Sequence, residues 1–221
     1  MGAGVRNWGV TCSGLVSCPD SRPAPANESE HAMPHILGVV GSPRKGGNTH
    51  VLVEALLAGA REAGAETRLL HLRGLDIREC EGCHGCWKNG ECAKQDDMRE
   101  LFPVIAASDA IVFGTPVYWY GPTALMKAFL DRFVYFNAPA QRPLIRGKAA
   151  ALVVPFEETS LETAAPLQAM FQKSFEYLEL ELVAELLAPG VTERGEVRDH
   201  ADPMRAAARI GRELVERQPK R

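Results

Sequence analysis

"HILGVVGSPRKGGNTHVLVEALLAGAREAG", His35 to Gly64, joins an apolar run, a glycine-rich turn and a helical pattern. "HILGVV" reads as a strand. The segment from Asn48 places Leu52, Ala55, Leu56, Gly59 and Ala63 along one stripe, the 3.6-residue period of a helix. The turn between them, Gly41 to Thr49, therefore leads from a strand straight into a helix. Backbone N–H groups and the helix dipole both favour an anion there. Ser42, Asn48 and Thr49 add side-chain donors, and Gly46 and Gly47 allow close backbone approach. A nucleotide-hydrolysing P-loop needs Lys and then Ser or Thr after its second glycine. Gly47 and Asn48 stand in those places. Gly38 and Gly41 do not supply the G-x-G-x-x-G dinucleotide pattern either. A phosphate of another kind, or a turn with no ligand, remains.

Working outward, apolar runs alternate with helical patterns. Strands are expected at 67–72, 110–114, 148–154 and 181–187, and helices near 96–108, 122–136, 160–177 and 202–217, with Pro103 perturbing the first of these helices. Most runs are continuously apolar, as in parallel strands buried on both faces. Five strand–helix units predict a doubly wound α/β sandwich with a five-stranded parallel sheet. Such sheets bind ligands at the carboxyl ends of the strands.

The turn after the third strand reads "GTPVYWYGPTALMKAFLDR", Gly114 to Arg132. In a flavodoxin-type strand order it lies beside the first loop. Its aromatic cluster, Tyr118 to Tyr120, suits a planar ring, a core or a subunit contact. Taken in order, "GSPRKGGNT" and "TPVYWYGPTALMKAFLDRF" resemble the flavodoxin-like, NADPH-dependent FMN reductase group over roughly residues 35–190. The resemblance implies FMN, with its phosphate near Ser42, Arg44, Gly47, Asn48 and Thr49. The isoalloxazine would lie near Thr115, Pro116, Val117, Tyr118 and Trp119. A flavin contact after the fourth strand, at "PFEETS" (155–160), carries over weakly, because this stretch lacks glycine.

"CEGCHGCWKNGEC", 80–92, spaces its cysteines C-x2-C-x2-C-x5-C. Disulfides would close small strained loops and suit a reducing compartment poorly. "CEGCH" matches a haem attachment motif but leaves two cysteines unexplained. Zinc usually takes two separated C-x-x-C pairs. A 4Fe–4S cluster uses all four, although Ala93 stands where ferredoxin runs have proline. The compact spacing before a helix resembles the iron–sulfur flavoproteins. That resemblance implies a cluster on Cys80, Cys83, Cys86 and Cys92. A thiol loop without a cluster remains the alternative.

Residues 1–33 differ in character. "SRPAPANESEH" (21–31) has no apolar period, and the stretch is read as a disordered or mis-called extension, with Met33 near the start of the fold. Residues 34–221 form the expected flavodoxin-like FMN-binding domain, with cysteine loop 80–92. "LVSC" (15–18) resembles a lipoprotein cleavage box, but lacks an apolar core before it. Net charge −3 with no dense basic run argues against nucleic acid. No apolar stretch approaches the ~20 residues that span a bilayer. A cytoplasmic oxidoreductase is expected, with FMN, a 4Fe–4S cluster and NAD(P)H as co-substrate. Its partner would be a small-molecule or ferredoxin-type electron donor or acceptor. A cluster-free reductase and a non-catalytic flavodoxin-type carrier are the alternatives. No catalytic side-chain constellation is expected. The apolar residues of 122–136 point to a homodimer or homotetramer.

Overall fold

A computed structural model describes residues 33–218. Five parallel strands, β1 (His35–Val40), β2 (Glu66–His71), β3 (Ala110–Gly114), β4 (Ala149–Pro155) and β5 (Glu181–Ala188), stand in the order β2-β1-β3-β4-β5. This is the flavodoxin-like order that the first subsection expects. Alternate strand residues supply two separate cores. Leu37, Val39, Ile111, Phe113 and Leu152 face one. Ile36, Val40, Val112, Ala151 and Val153 face the other. Both faces are covered, so the central strands read as unbroken apolar runs. The edge strand β2 is largely half-buried or exposed, and its sequence, ETRLLH, carries polar residues accordingly.

On one face lie α1 (Asn48–Glu62) and α7 (Ala201–Glu216). The buried surface of α1 is wider than the expected stripe and adds Val51, Val53, Leu57 and Ala60, because α1 is wedged between the sheet and α7. Glycines make that fit possible. A Cβ on Gly59 would strike the carbonyl oxygen of Ala208, and one on Gly211 the carbonyl oxygen of Leu56. On the other face lie α3 (Met98–Ala107), α4 (Ala124–Asp131), α5 (Val134–Asn137) and α6 (Ala165–Leu178). A short α2 (Gly85–Asn89) sits within the cysteine loop. Helix α3 runs on through Pro103.

The continuous helix expected over 122–136 is interrupted. At Arg132 the chain tightens into i→i−3 bonds, with Arg132 N–H donating to Phe129, Phe133 to Leu130, and Phe136 to Phe133. The tightening accompanies an inward turn of the Arg132 side chain, described below. It also buries Met126, Phe129, Leu130, Phe133 and Phe136 within the same chain. Much of the apolar surplus that suggested an oligomer is thus consumed internally, while Leu125 and Val134 stay half-buried. The expectations for the N-terminal extension and for "LVSC" fall on residues 1–32, outside the described residues.

Candidate functional site

The loop after β1 ends at α1, whose N-cap is Gly47. No side chain caps this helix, and its first turn carries no acid. Its leading N–H groups therefore have no intrahelical partner and face an anion-ready position. Gly46 holds a left-handed conformation at φ 68°. A Cβ on Gly47 would lie 3.0 Å from Arg44 Cβ and 3.7 Å from Ser42 Oγ, so a side chain there would crowd the turn. Ser42 and Thr49 are buried polar side chains on the same cleft.

The cleft is completed by three further loops at the carboxyl ends of the strands. Pro116, Val117 and Tyr118 follow β3. Phe156 and Glu157 follow β4, and Val191 and Thr192 follow β5. The first two loops are bolted together. Thr123 Oγ1 donates to Gly41 O at 2.6 Å, and Thr123 N donates to Thr115 Oγ1 at 3.1 Å. Thr123 also caps α4 by accepting from Met126 N. A further cleft, lined by His35, Ile36, Pro103 and Ser108, opens at the amino ends of the strands, away from these loops.

Seven of the expected flavin residues share the cleft: Ser42, Arg44, Asn48, Thr49, Pro116, Val117 and Tyr118. The other three do not line it. Gly47 is the N-cap of α1. Thr115 is fully buried, and its hydroxyl is occupied by Pro116 O and Thr123 N. Trp119 is 95% exposed at the tip of a two-residue hairpin closed by Tyr118 and Gly121. Trp119 and Tyr120 both hold positive φ, 50° and 62°. Aromatic residues rarely adopt that conformation, and holding it costs of order 1–3 kcal/mol each. Asn48 lines the cleft, but its amide is already engaged. It donates to Val191 O and Glu193 O and accepts from Val197 N. Arg44 donates to Thr192 O. Together they tie the 191–197 loop to the phosphate loop. Glu196 stiffens that loop by accepting from Glu193 and Thr192 N–H, which hold its carboxyl below the usual range. The sequence reading did not include this loop. Its glycine-flanked run, "GVTERG" (190–195), was the available signal.

Beside the cleft, His50 Nδ1 and His71 Nε2 meet at 3.0 Å with stacked rings. Burial, then His50 and Lys45, push the His71 pKa down. A second, basic cleft adjoins the phosphate loop. It is lined by Arg44, Lys45, Arg73 and Arg194, with Glu193.

The cysteine loop folds around positive-φ positions at Gly82, His84 and Gly90. All four described cysteines are free thiols: Cys86 is buried, Cys80 and Cys92 half-buried, and Cys83 exposed. Burial, then the nearby Cys92 and Cys80, push the Cys86 thiol up. Cys80 Sγ accepts from Gly82 N, and Cys92 Sγ from Arg132 Nη2 at 3.1 Å. Trp87 anchors the loop by donating to Val134 O. No group of three or more His, Cys, Asp or Glu is already gathered to hold a metal among the described residues. The all-sulfur donor set still fits an iron–sulfur group in chemistry.

Arg132 was not among the expected site residues. It is 1% exposed, and its guanidinium meets Asp96 Oδ2 at 2.5 Å and Oδ1 at 3.1 Å. Burial alone would raise the Asp96 pKa. The bonds from Arg132 and the N–H groups of Arg78 and Met98 outweigh it and hold the carboxyl below the usual range.

A family model described as "NADPH-dependent FMN reductase" matches residues 34–189. An "Iron-sulfur flavoprotein" of Archaeoglobus fulgidus is 37% identical over 120 residues, 54% of this chain and 53% of that protein. One of Methanosarcina thermophila is 36% identical over 99 residues, 45% of this chain and 52% of that protein. The chain thus spans about half the length of the curated relatives it matches. Among solved structures, an NAD(P)H:quinone oxidoreductase from Methanothermobacter marburgensis has a TM-score of 0.64 at 18% identity, covering 83% of this chain and all of that one. At that identity the likeness concerns the fold.

Proposed function

The chain belongs to the NADPH-dependent FMN reductase family, and from that premise we propose an FMN-dependent oxidoreductase that carries a 4Fe–4S cluster on Cys80, Cys83, Cys86 and Cys92. The observation that carries the flavin reading is the uncapped, acid-free start of α1 at a cleft shared by four loops. The FMN phosphate takes the leading N–H groups of α1 with the Ser42 and Thr49 hydroxyls, and Arg44 supplies charge. The ring lies against Pro116, Val117 and Tyr118. In that loop Thr115 N–H is spent on Val153 and Tyr118 N–H on Gly121, and Pro116 has none, which leaves Val117, Trp119 and Tyr120 as backbone donors. FMN supplies hydride and single-electron chemistry when bound, while the chain sets its orientation and potential.

The cluster reading draws on the four-thiol loop and on the names of the relatives. An iron–sulfur group there supplies one-electron transfer. Its test is Cys86→Ala. Broad visible absorption and acid-labile sulfide should be lost and FMN kept, because the phosphate loop is a separate segment. If iron and sulfide persist undiminished in that variant, Cys86 is not a ligand.

A second observation bears on the electron donor. Arg44, Lys45, Arg73 and Arg194 line one cleft, and none has a carboxylate within ion-pair distance among the described residues. That surface suits an anionic donor, either NAD(P)H or an acidic carrier of the ferredoxin type. NADPH oxidation by purified protein separates the two, and its absence with every acceptor would favour the flavodoxin-type carrier. No helix among the described residues is long and apolar enough to cross a membrane. We propose a reducing, cytoplasmic setting, in which the four thiolates would stay available to an iron–sulfur group.

A further inference from the structure

Arginine is almost never fully buried unless it is paired. Arg132 is among the largest fully buried side chains, and Asp96, its counter-ion, has a side chain with no exposed surface. Two of the guanidinium contacts hold Asp96 and a third holds Arg78 O at 2.9 Å. The fourth reaches Cys92 Sγ at 3.1 Å. An ion pair that served only to staple α4 to the 76–98 segment would not need that fourth contact. The carboxylate is itself fixed by Arg78 N and Met98 N, so the fork has one orientation and one nitrogen aimed at sulfur.

We propose that Arg132 is a positioning residue for Cys92, placing its sulfur and setting the potential of the group that the cysteine loop holds. The proposal rests on the cluster reading above. A donor on a ligating sulfur favours the electron-rich, reduced form, and outer partners orient metal ligands. A guanidinium keeps its proton throughout, so it meets the added electron with fixed charge. Arg132 follows the last residue of α4, and Thr123, at the other end of α4, bonds the phosphate loop. One short helix therefore braces the cysteine loop at one end and the flavin loops at the other.

The test uses the full chain, reconstituted anaerobically with iron and sulfide. Iron, sulfide and FMN are measured first, and the potential is then followed by EPR during redox titration. Arg132→Gln strands a buried carboxylate and risks folding. The informative variant therefore neutralises both partners, as Asp96→Asn with Arg132→Met. It should keep FMN and hold the cluster at a lower potential than the parent. Loss of iron alone, with FMN and thermal stability kept, would equally support the placement of Cys92. Arg132→Lys, which retains charge but not the fork, should fall between. If the loaded double variant has the parent's potential, the proposal is overturned while the cluster reading stands. If the parent itself takes up no iron, the cluster reading fails, and this proposal fails with it.

Discussion

Ser42 and Asn48 are both donors in the glycine-rich turn, yet the fold gives them different work. Ser42 keeps its O–H for a ligand while its oxygen accepts from Arg44 N. Asn48 spends its amide on the 191–197 loop. Ser42→Ala should weaken FMN binding about ten- to a hundred-fold, the loss of one bond to a charged group, with the melting temperature unchanged. Asn48→Ala should instead cost about 1–2 kcal/mol of stability and expose the 191–197 loop to protease. Equal effects on both readouts would remove the distinction. His71 gives a pH dependence. Its folded pKa lies below the unfolded value of about 6.5. The unfolded chain therefore binds the proton first, and stability is lost as pH falls from about 6.5 through the folded value. Thermal melts from pH 7.5 to 5 should show that loss, and His71→Gln should flatten it.

Among the elements, α1 and α7 make the most demanding contact. Gly to Ala in a helix normally stabilises by up to about 1 kcal/mol. Gly59→Ala should do the reverse here, because the new Cβ meets the Ala208 carbonyl and not a yielding side chain. Overpacking of this kind costs about 1–3 kcal/mol, and a denaturant titration reads it directly. A gain in stability would mean that the helices separate easily. The same contrast explains what the sequence could disclose. The central strands were legible because burial on both faces writes itself into local composition, as in AIVFG and AAALVVP. The phosphate loop was legible because its glycines and hydroxyls are contiguous. The break after α4 was not, since the buried partner of Arg132 at the break is Asp96, thirty-six residues away. The 191–197 loop was missed for the same reason: Asn48, far off in sequence, brings it to the cleft. Thr115 does not line the cleft, because its hydroxyl is held by Pro116 O and Thr123 N.

For the molecule as a whole, the strained hairpin at Tyr118–Gly121 leaves two side chains, those of Trp119 and Tyr120, without a proposed role, although its N–H groups are proposed flavin donors. Two aromatic residues sit where Asn-Gly is preferred, and both project outward, Trp119 at 95% and Tyr120 at 60% exposure. A homo-oligomer, as expected from the sequence, would bury both rings at this hairpin. Replacing Trp119 by Asn and Tyr120 by Gly should relax the turn and raise the melting temperature. The same change should lower the assembly's mass in light scattering. An unchanged mass would place the interface elsewhere. The proposed function joins two sites in one chain, a flavin cleft at the strand ends and a thiol loop whose Cys92 meets Arg132. It is tested most directly by metal, sulfide and flavin analysis of anaerobically reconstituted full-length protein. FMN is expected together with about four iron and four sulfide per flavin. FMN with no iron or sulfide, or with zinc in their place, would contradict it.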